Sequence, residues 1–236
     1  NFNGDYVFAF AGLTGTGDSD EIVEKFTKVN EIGLANIIAC CQTAQVERLI
    51  FPSTRLVYKG IENTALKEDA AKEAKTIYAK NKLACEKMLK SAKVPHTIFR
   101  ICVPYGNLLD TNYSYGTIGF FIGKALKGED ITIYGNGSLK RTFTHVSDIV
   151  QLIFESLQLE NTTNKTYNIG SNDNLSLLEV AQLVAQKYKV NVAFTDWPKA
   201  ALAIESGDTI FDGGKLQKLT QYCYKNSLSN WIKEIG

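Results

Sequence analysis

The sequence predicts an α/β protein in which a doubly wound parallel sheet is joined to a smaller α/β lobe. Three observations carry this reading. From Asp5 to Ile101, strand-like and helix-like segments alternate with short links, the pattern of consecutive βαβ units. The strand-like segments are continuous apolar runs rather than alternating ones, as parallel strands covered on both faces require. Beyond Pro104 the texture changes to polar loops, a short strand and further helices, which marks a second lobe.

Asp5-Tyr6-Val7-Phe8-Ala9-Phe10-Ala11, closed by Gly12, reads as a central strand buried on both faces. Apolar residues return at helical spacing from Asp18 to Gln45. Arg48 to Ser53 is a second short strand ending in small polar residues, and a helix from Ala74 to Ala92 leads through Pro95 into a third strand, His96 to Ile101. Ligands of such sheets bind beyond the carboxyl ends of the strands, which directs attention to the residues just after each one. In the second lobe Asn107 to Gly116 is loop-like, a helix is predicted from Thr117 to Leu126, and Ile131 to Tyr134 is a strand closed by Gly135-Asn136-Gly137. Helices follow at Val146 to Leu157 and, with Ser176 and Glu179 spaced as a capping box, at Leu177 to Tyr188. No repeat or low-complexity linker separates the lobes, so they are expected to interleave.

The 236 residues are 44% hydrophobic, enough for a large core, which excludes a disordered chain. Lys plus Arg number 26 against 25 for Asp plus Glu; without a basic field, nucleic acid is not an expected partner. Apolar runs such as Tyr6 to Ala11 or Ala35 to Cys41 fall far short of the roughly 18 residues of a membrane span, so no membrane partner is expected. Cys40, Cys41, Cys85, Cys102 and Cys223 lack the paired short spacings of a zinc site. Four of them lie in apolar surroundings, and the set reads as reduced core residues of a cytoplasmic protein that binds no metal. The chain opens Asn1-Phe2-Asn3-Gly4 without an initiator Met or a signal peptide, and it reads as a fragment.

The sharpest chemical signal is Tyr78-Ala79-Lys80-Asn81-Lys82, which stacks a phenol and an ammonium on one helix face. A phenol titrates near pH ~10, and a cation one turn away stabilises the phenolate and brings it toward useful acid/base strength. Taken alone, the pair is what any amphipathic helix could carry. Upstream, however, Ser53-Thr54-Arg55-Leu56-Val57-Tyr58-Lys59-Gly60 sets a hydroxyl pair at the carboxyl end of the second strand. Asn30-Glu31-Ile32-Gly33, Arg100-Ile101-Cys102-Val103-Pro104-Tyr105-Gly106, Arg141-Thr142-Phe143-Thr144-His145-Val146-Ser147-Asp148 and Tyr167-Asn168-Ile169-Gly170 then occur around and after it in a fixed order.

In these segments the sequence resembles the extended short-chain dehydrogenase/reductase family, specifically its nucleotide-sugar epimerase and dehydratase branch, from Asp5 to about Ala185. The resemblance implies a Rossmann-type sheet that is incomplete at its N-terminus. Residues 1–104 would be the remaining part of an NAD(P)-binding domain and 105–236 mainly a substrate lobe, interleaved around 143–170. It makes Tyr78 the acid/base, Lys82 its modulator and a ribose ligand, and Thr54 the hydroxyl that orients the sugar oxygen. Phe10, Ala11, Gly12, Asn30 and Ser53 would lie against the cofactor and Ile101, Cys102 and Val103 would wall its nicotinamide. Thr54, Val103, Ile133, Tyr134 and Arg141 would meet the substrate, Arg141 at the diphosphate. The implied cofactor is NAD, with NADP left open, the implied partner a nucleotide-diphosphate sugar, and the implied assembly a homodimer through a four-helix contact that includes the Tyr78 helix. Bacterial surface polysaccharide synthesis is the implied setting.

Gly12-Leu13-Thr14-Gly15-Thr16-Gly17 has the setting of a dinucleotide phosphate loop, but Asp18 and Asp20 would repel a pyrophosphate at that helix start. In the family several βα units separate the phosphate loop from the Ser/Thr hydroxyl, and the interval here is too short for them. The expectation is that the family's first three strands, with the true loop and the residue that selects NAD or NADP, precede this sequence. Three departures bear on the reaction. Arg55-Leu56 stands where the branch's dehydratases carry Asp-Glu, Val103 where many relatives have Asn, and Glu205-Ser206-Gly207-Asp208 lacks the late Arg of the diphosphate clamp. The reading is therefore an NAD(P)-dependent 4-epimerase working through a 4-keto sugar; a 4-keto-sugar-nucleotide reductase and a non-catalytic scaffold are the alternatives. His96, His145, Trp197 and Trp231 are read as structural residues, and the Asn-x-Ser/Thr triplets such as Asn136-Gly137-Ser138 as turn chemistry.

Overall fold

Side chains alternate in direction along a strand, so strands whose successive residues are all apolar must be covered on both faces, and Arg48–Thr54 and His96–Ile101 of the main sheet are. The computed structural model describes residues 5–15, 19–106 and 116–235. In chain order it begins with β1 (Tyr6–Phe8), α1 (Asp20–Phe26), α2 (Gly33–Ala44), β2 (Arg48–Thr54), β3 (Ala65–Leu66), α3 (Ile77–Ser91), β4 (His96–Ile101) and β5 (Val103–Tyr105). It continues with α4 (Gly116–Leu126), β6 (Ile131–Tyr134), β7 (Lys140–His145), α5 (Val146–Leu157), β8 (Lys165–Ile169), β9 (Asp173–Ser176) and α6 (Leu177–Tyr188). β10 (Val192–Thr195), α7 (Lys199–Ile204), β11 (Ile210–Phe211), α8 (Gly214–Thr220) and α9 (Leu228–Glu234) complete it.

The main sheet has the order β1-β2-β4-β8, and every pair in it is parallel. On one face Leu49, Phe51 and Ile98 pack with Leu34, Ile38 and Cys41 of α2 and with Cys85 and Leu89 of α3. On the other, Ile50, Phe99 and Tyr167 pack with Ile149, Leu152 and Ile153 of α5 and with Leu216 of α8. Consecutive residues such as Leu49 and Ile50 are thus both fully buried, on opposite sides. A separate core forms where Ile118, Phe121 and Ile122 of α4 meet β6, Val180, Ala181 and Val184 of α6 and Leu228 and Ile232 of α9. Smaller pairings complete the frame: β5 parallel to β7, β7 antiparallel to β9, β10 parallel to β6, and β11 parallel to β3. Ser176 and Glu179 form a reciprocal capping box at α6.

Several sequence expectations are corrected. Among the described residues the segment starting at Asp5 stands at the margin of the sheet and is not covered on both faces: β1 pairs there with β2, and Tyr6 and Phe8 are 37% and 51% exposed while Val7 turns inward. The helix expected from Asp18 to Gln45 is α1 and α2 joined by a π-helical turn, Thr27–Ile32, which carries the buried Asn30. α3 starts at Ile77 because Thr76 caps it, its Oγ1 accepting from the Ala79 amide at 3.1 Å. Cys40 and Cys223 are exposed, so only Cys41, Cys85 and Cys102 belong to the interior, and all five are free thiols. Asn1 to Gly4, Thr16 to Asp18 and Asn107 to Tyr115, and with them parts of the readings made there, lie outside the described residues. Among the described residues no helix is long and apolar enough to cross a membrane, and no group of three or more His, Cys, Asp or Glu side chains is placed to hold a metal ion.

Candidate active site

β2 ends in Phe51-Pro52-Ser53-Thr54, and the chain then turns through a 3-10 helix, Arg55–Val57, capped by Thr54 Oγ1, which accepts from the Leu56 amide at 3.3 Å. α3 packs on the same strand through Cys85 and Leu89. That packing brings its first two turns to the carboxyl end of β2, where the half-buried Tyr78 and the buried Lys82 stand one helical turn apart. Lys82 Nζ donates to the Pro52 carbonyl at 2.7 Å and lies 4.4 Å from the centre of the Phe51 ring and 5.7 Å from that of Tyr78. Burial draws the Lys82 ammonium down to about 8, an effect that Cys85 and the Glu86 carboxylate, which lies beyond ion-pair distance, offset only in part.

A groove opens beside this cation, lined by Ala9, Ala11, Asn30, Gly33, Phe51 and Lys82. Asn30 shapes its rim: Oδ1 accepts from the Leu13 amide at 2.8 Å and Nδ2 donates to the Leu13 carbonyl at 3.1 Å. The amide thereby pins the loop after β1, and a Cβ at Gly12 would come within 3.1 Å of Asn30 Oδ1. With about 90 Å³ of room, the groove fits a part of a nicotinamide dinucleotide rather than the whole. It is apolar, its backbone is open at Ala11 and Gly12, and it holds an ammonium with three donors and one protein acceptor.

The other residues singled out in the sequence fall in several places. Phe10 is exposed beside Phe8, with ring centres 6.3 Å apart. Ser53 donates its hydroxyl to Glu86 Oε1 at 2.6 Å. The Cys102 thiol is buried and donates to the Thr209 carbonyl at 3.3 Å, whereas Ile101 and Val103 are half-buried. Ile133 is not brought to the groove, since it is 3% exposed within the core built on α4 and α6. Tyr134 is exposed and stands 5.2 Å from the ring of Trp197. Arg141 is occupied already: Nη2 meets Glu205 Oε1 at 2.6 Å while Nη1 donates to the carbonyls of Lys140 and Gly207.

Sequence reasoning did not find the Glu205 contact, which joins residues far apart in the chain, nor the Glu86–Arg100 pair behind Ser53. Arg55 was noted only as a departure, though a cation directly after the strand-terminal hydroxyl was a usable signal. His145 caps α5, its Nδ1 accepting from the Ser147 amide at 3.2 Å.

A doubly wound parallel sheet with a Tyr and a Lys at the carboxyl end of a strand defines a Rossmann-like protein of the short-chain dehydrogenase/reductase type. The chain belongs to the NAD-dependent epimerase/dehydratase family, whose family model matches residues 1–170. It is 30% identical over 189 residues to the dTDP-D-glucose 4,6-dehydratase of Bos taurus, a match covering 78% of this chain and 52% of that one. It is 32% identical over 190 residues to the UDP-N-acetyl-alpha-D-glucosaminuronate decarboxylase of Bacillus cytotoxicus, covering 77% and 59%. The chain thus spans little more than half the length of these curated relatives. Among solved structures, the UDP-N-acetylglucosamine 4-epimerase of Methanobrevibacter ruminantium superposes with a TM-score of 0.85 at 22% identity, covering 98% of this chain and 74% of that one. The NAD complex of the Thermus thermophilus UDP-glucose 4-epimerase gives 0.83 at 23%, covering 97% and 75%. Likeness at such identity speaks for the fold.

Proposed function

We propose that the protein is an NAD-dependent nucleotide-diphosphate-sugar 4-epimerase that works through a transient 4-keto sugar, as a homodimer. The observation that carries the reading is the meeting of Tyr78, Lys82 and the Thr54 end of β2 beside an apolar groove. The dinucleotide would be held by Ala11, Gly12, Asn30 and Lys82, and when bound it supplies a reversible hydride acceptor. Tyr78, as the phenolate, takes the proton of the C4 hydroxyl and later returns it, and the positive charge of Lys82 beside it favours the phenolate form. Thr54 holds the reacting oxygen. Inversion requires the 4-keto sugar to present its other face before C4 regains its hydride, the proton returning to the C4 oxygen. Dehydration is disfavoured because Arg55 and Leu56 supply no acid or base after Thr54.

The test is turnover of UDP-glucose with NAD, followed by proton NMR of the sugar. Tyr78→Phe is expected to lower the rate by about a hundredfold to ten-thousandfold with nucleotide binding retained. Unchanged turnover in that variant would sink the assignment of Tyr78. Stoichiometric oxidation of NADPH on a 4-keto sugar nucleotide, with no epimerisation, would replace epimerase by reductase.

A further inference from the structure

The sequence contains four arginines, of which two are paired with carboxylates and one lies away from the ligand side of the sheet. Arg100 is held two-fold by Glu86, and Arg141 by Glu205 and two carbonyls. Arg48, at the amino end of β2 and so away from the ligand side of the sheet, donates to Thr162 Oγ1 at 2.8 Å.

Arg55 differs. It follows Thr54 directly at the carboxyl end of β2 and is half-buried. Its hydrogen bonds both come from Nη1, to Ser206 Oγ at 3.3 Å and Thr209 Oγ1 at 3.2 Å. Neither partner is charged, and among the described residues no carboxylate lies within ion-pair distance. The Nε and Nη2 atoms therefore donate no hydrogen bond to the described residues, and they are not among the buried polar atoms left without a partner, as suits the partly exposed edge of a half-buried side chain. That edge is the planar two-donor face that fits a carboxylate or phosphoryl group. Burial, and then the nearby Arg141, pull the Arg55 guanidinium down to about 10, still charged at neutral pH.

The surroundings are built rather than incidental. The 205–209 segment is tied to its neighbours by Gly60 N donating to Ser206 O at 2.8 Å, Thr209 N to Lys140 O at 3.0 Å and Lys75 Nζ to Glu205 O at 2.7 Å. Of the two neighbouring guanidiniums, Arg141 holds the Glu205 carboxylate, which reaches Arg55 only as a more distant charge. The unneutralised charge stays with Arg55.

We propose that Arg55 is an oxyanion-binding residue beside the Thr54–Tyr78 centre, engaging a phosphoryl or carboxylate group of the ligand through its Nε and Nη2 edge, and that Glu205 keeps Arg141 from competing for it. Placing that anion on a nucleotide sugar rests on the function proposed above; the anion site itself does not.

Calorimetric titration of the wild-type chain, Arg55→Met and Arg55→Lys with inorganic pyrophosphate, UDP, UDP-glucose and UDP-glucuronic acid tests this. Arg55→Met should weaken anion binding by about tenfold or more, and Arg55→Lys by less. A loss already present with pyrophosphate and UDP identifies a phosphoryl group, whereas a loss confined to UDP-glucuronic acid identifies a sugar carboxylate. Pyrophosphate binding that depends on Arg55, without binding of any nucleotide, would keep the anion site and remove the nucleotide-sugar reading. Equal affinity of wild type and a folded Arg55→Met variant for all four ligands, or no binding of any of them to wild type, overturns the proposal. If Arg55→Met does not fold, the guanidinium NMR signal of Arg55, assigned with Arg55→Lys, decides in its place: it should move on addition of a ligand that binds, and a signal unmoved by every ligand also overturns the proposal.

Discussion

Lys82 buries an ammonium whose hydrogen-bond acceptor among the described residues is the Pro52 carbonyl, and whose other neighbours include the faces of Phe51 and Tyr78. A charge so placed costs stability and is kept where chemistry uses it. Lys82→Met retains the stem's packing and removes the charge, so it should abolish turnover while raising stability at pH 7 by on the order of 1 kcal/mol, or a few degrees in Tm. The sign with pH follows from the folded value near 8 lying below that of a free lysine. Between the two values the unfolded chain binds more protons, so wild-type stability rises with pH across that window and the advantage of Lys82→Met shrinks. Unfolding midpoints of both proteins at pH 7 and pH 10 measure this, and a variant less stable at pH 7 with a constant gap would refute it. Tyr78 and Lys82 could be read from the sequence because one helical turn is a local relation. The seizure of Arg141 by Glu205 could not, since a loop far along the chain supplies the carboxylate.

At the scale of elements, one buried ion pair fixes the relation between the helix that carries Tyr78 and the strands beneath it. Glu86 of α3 accepts from Arg100 of β4 through Nε at 2.8 Å and Nη2 at 2.6 Å, and from Ser53 of β2 at 2.6 Å. Arg100 also donates to the Tyr58 hydroxyl at 2.7 Å, which in turn donates to Asn168 of β8 at 2.7 Å. Arg100→Met leaves the buried Glu86 carboxylate with the Ser53 hydroxyl and the exposed Lys90 ammonium at 3.7 Å and should cost about 3 kcal/mol, whereas adding Glu86→Leu should recover much of the loss. Urea unfolding of the two single variants and the double variant checks it; a double variant as unstable as the sum of the singles would show that the groups act independently. Burial alone would raise the Glu86 carboxyl, but Arg100's donors and charge hold it below the usual range, so its contribution is lost as pH falls through that lowered value. β4, β6, α5 and α6 were readable to the residue because periodicity and capping are local. β3 and β11, two residues each, exist only through their pairing with one another, and β7 read as a motif because its partners β5 and β9 lie far along the sequence.

At the scale of the whole chain, the exposed flank of the main sheet is β1, the side on which the family's first three strands are expected. β1 pairs with β2 and, among the described residues, with no other strand. Its exposed residues are aromatic: Tyr6 at 37%, Phe8 at 51% and, just beyond, Phe10 at 53%. An unpaired backbone edge flanked by apolar rings is a template for another strand, and no Lys or Pro stands within β1 to blunt it. In the absence of preceding strands, this chain is therefore expected to associate through that edge as its concentration rises, and to bind an apolar dye. Phe8→Lys, on an outward-facing position, should suppress both without loss of fold, whereas Val7→Lys should unfold the edge because Val7 belongs to the core beneath α2. Light scattering across a wide concentration range decides between the outcomes. A single concentration-independent mass for the wild-type chain would show that the edge is already protected. An unchanged mass distribution in Phe8→Lys would place the sticky surface elsewhere, on the exposed Val150 and Phe154 of α5.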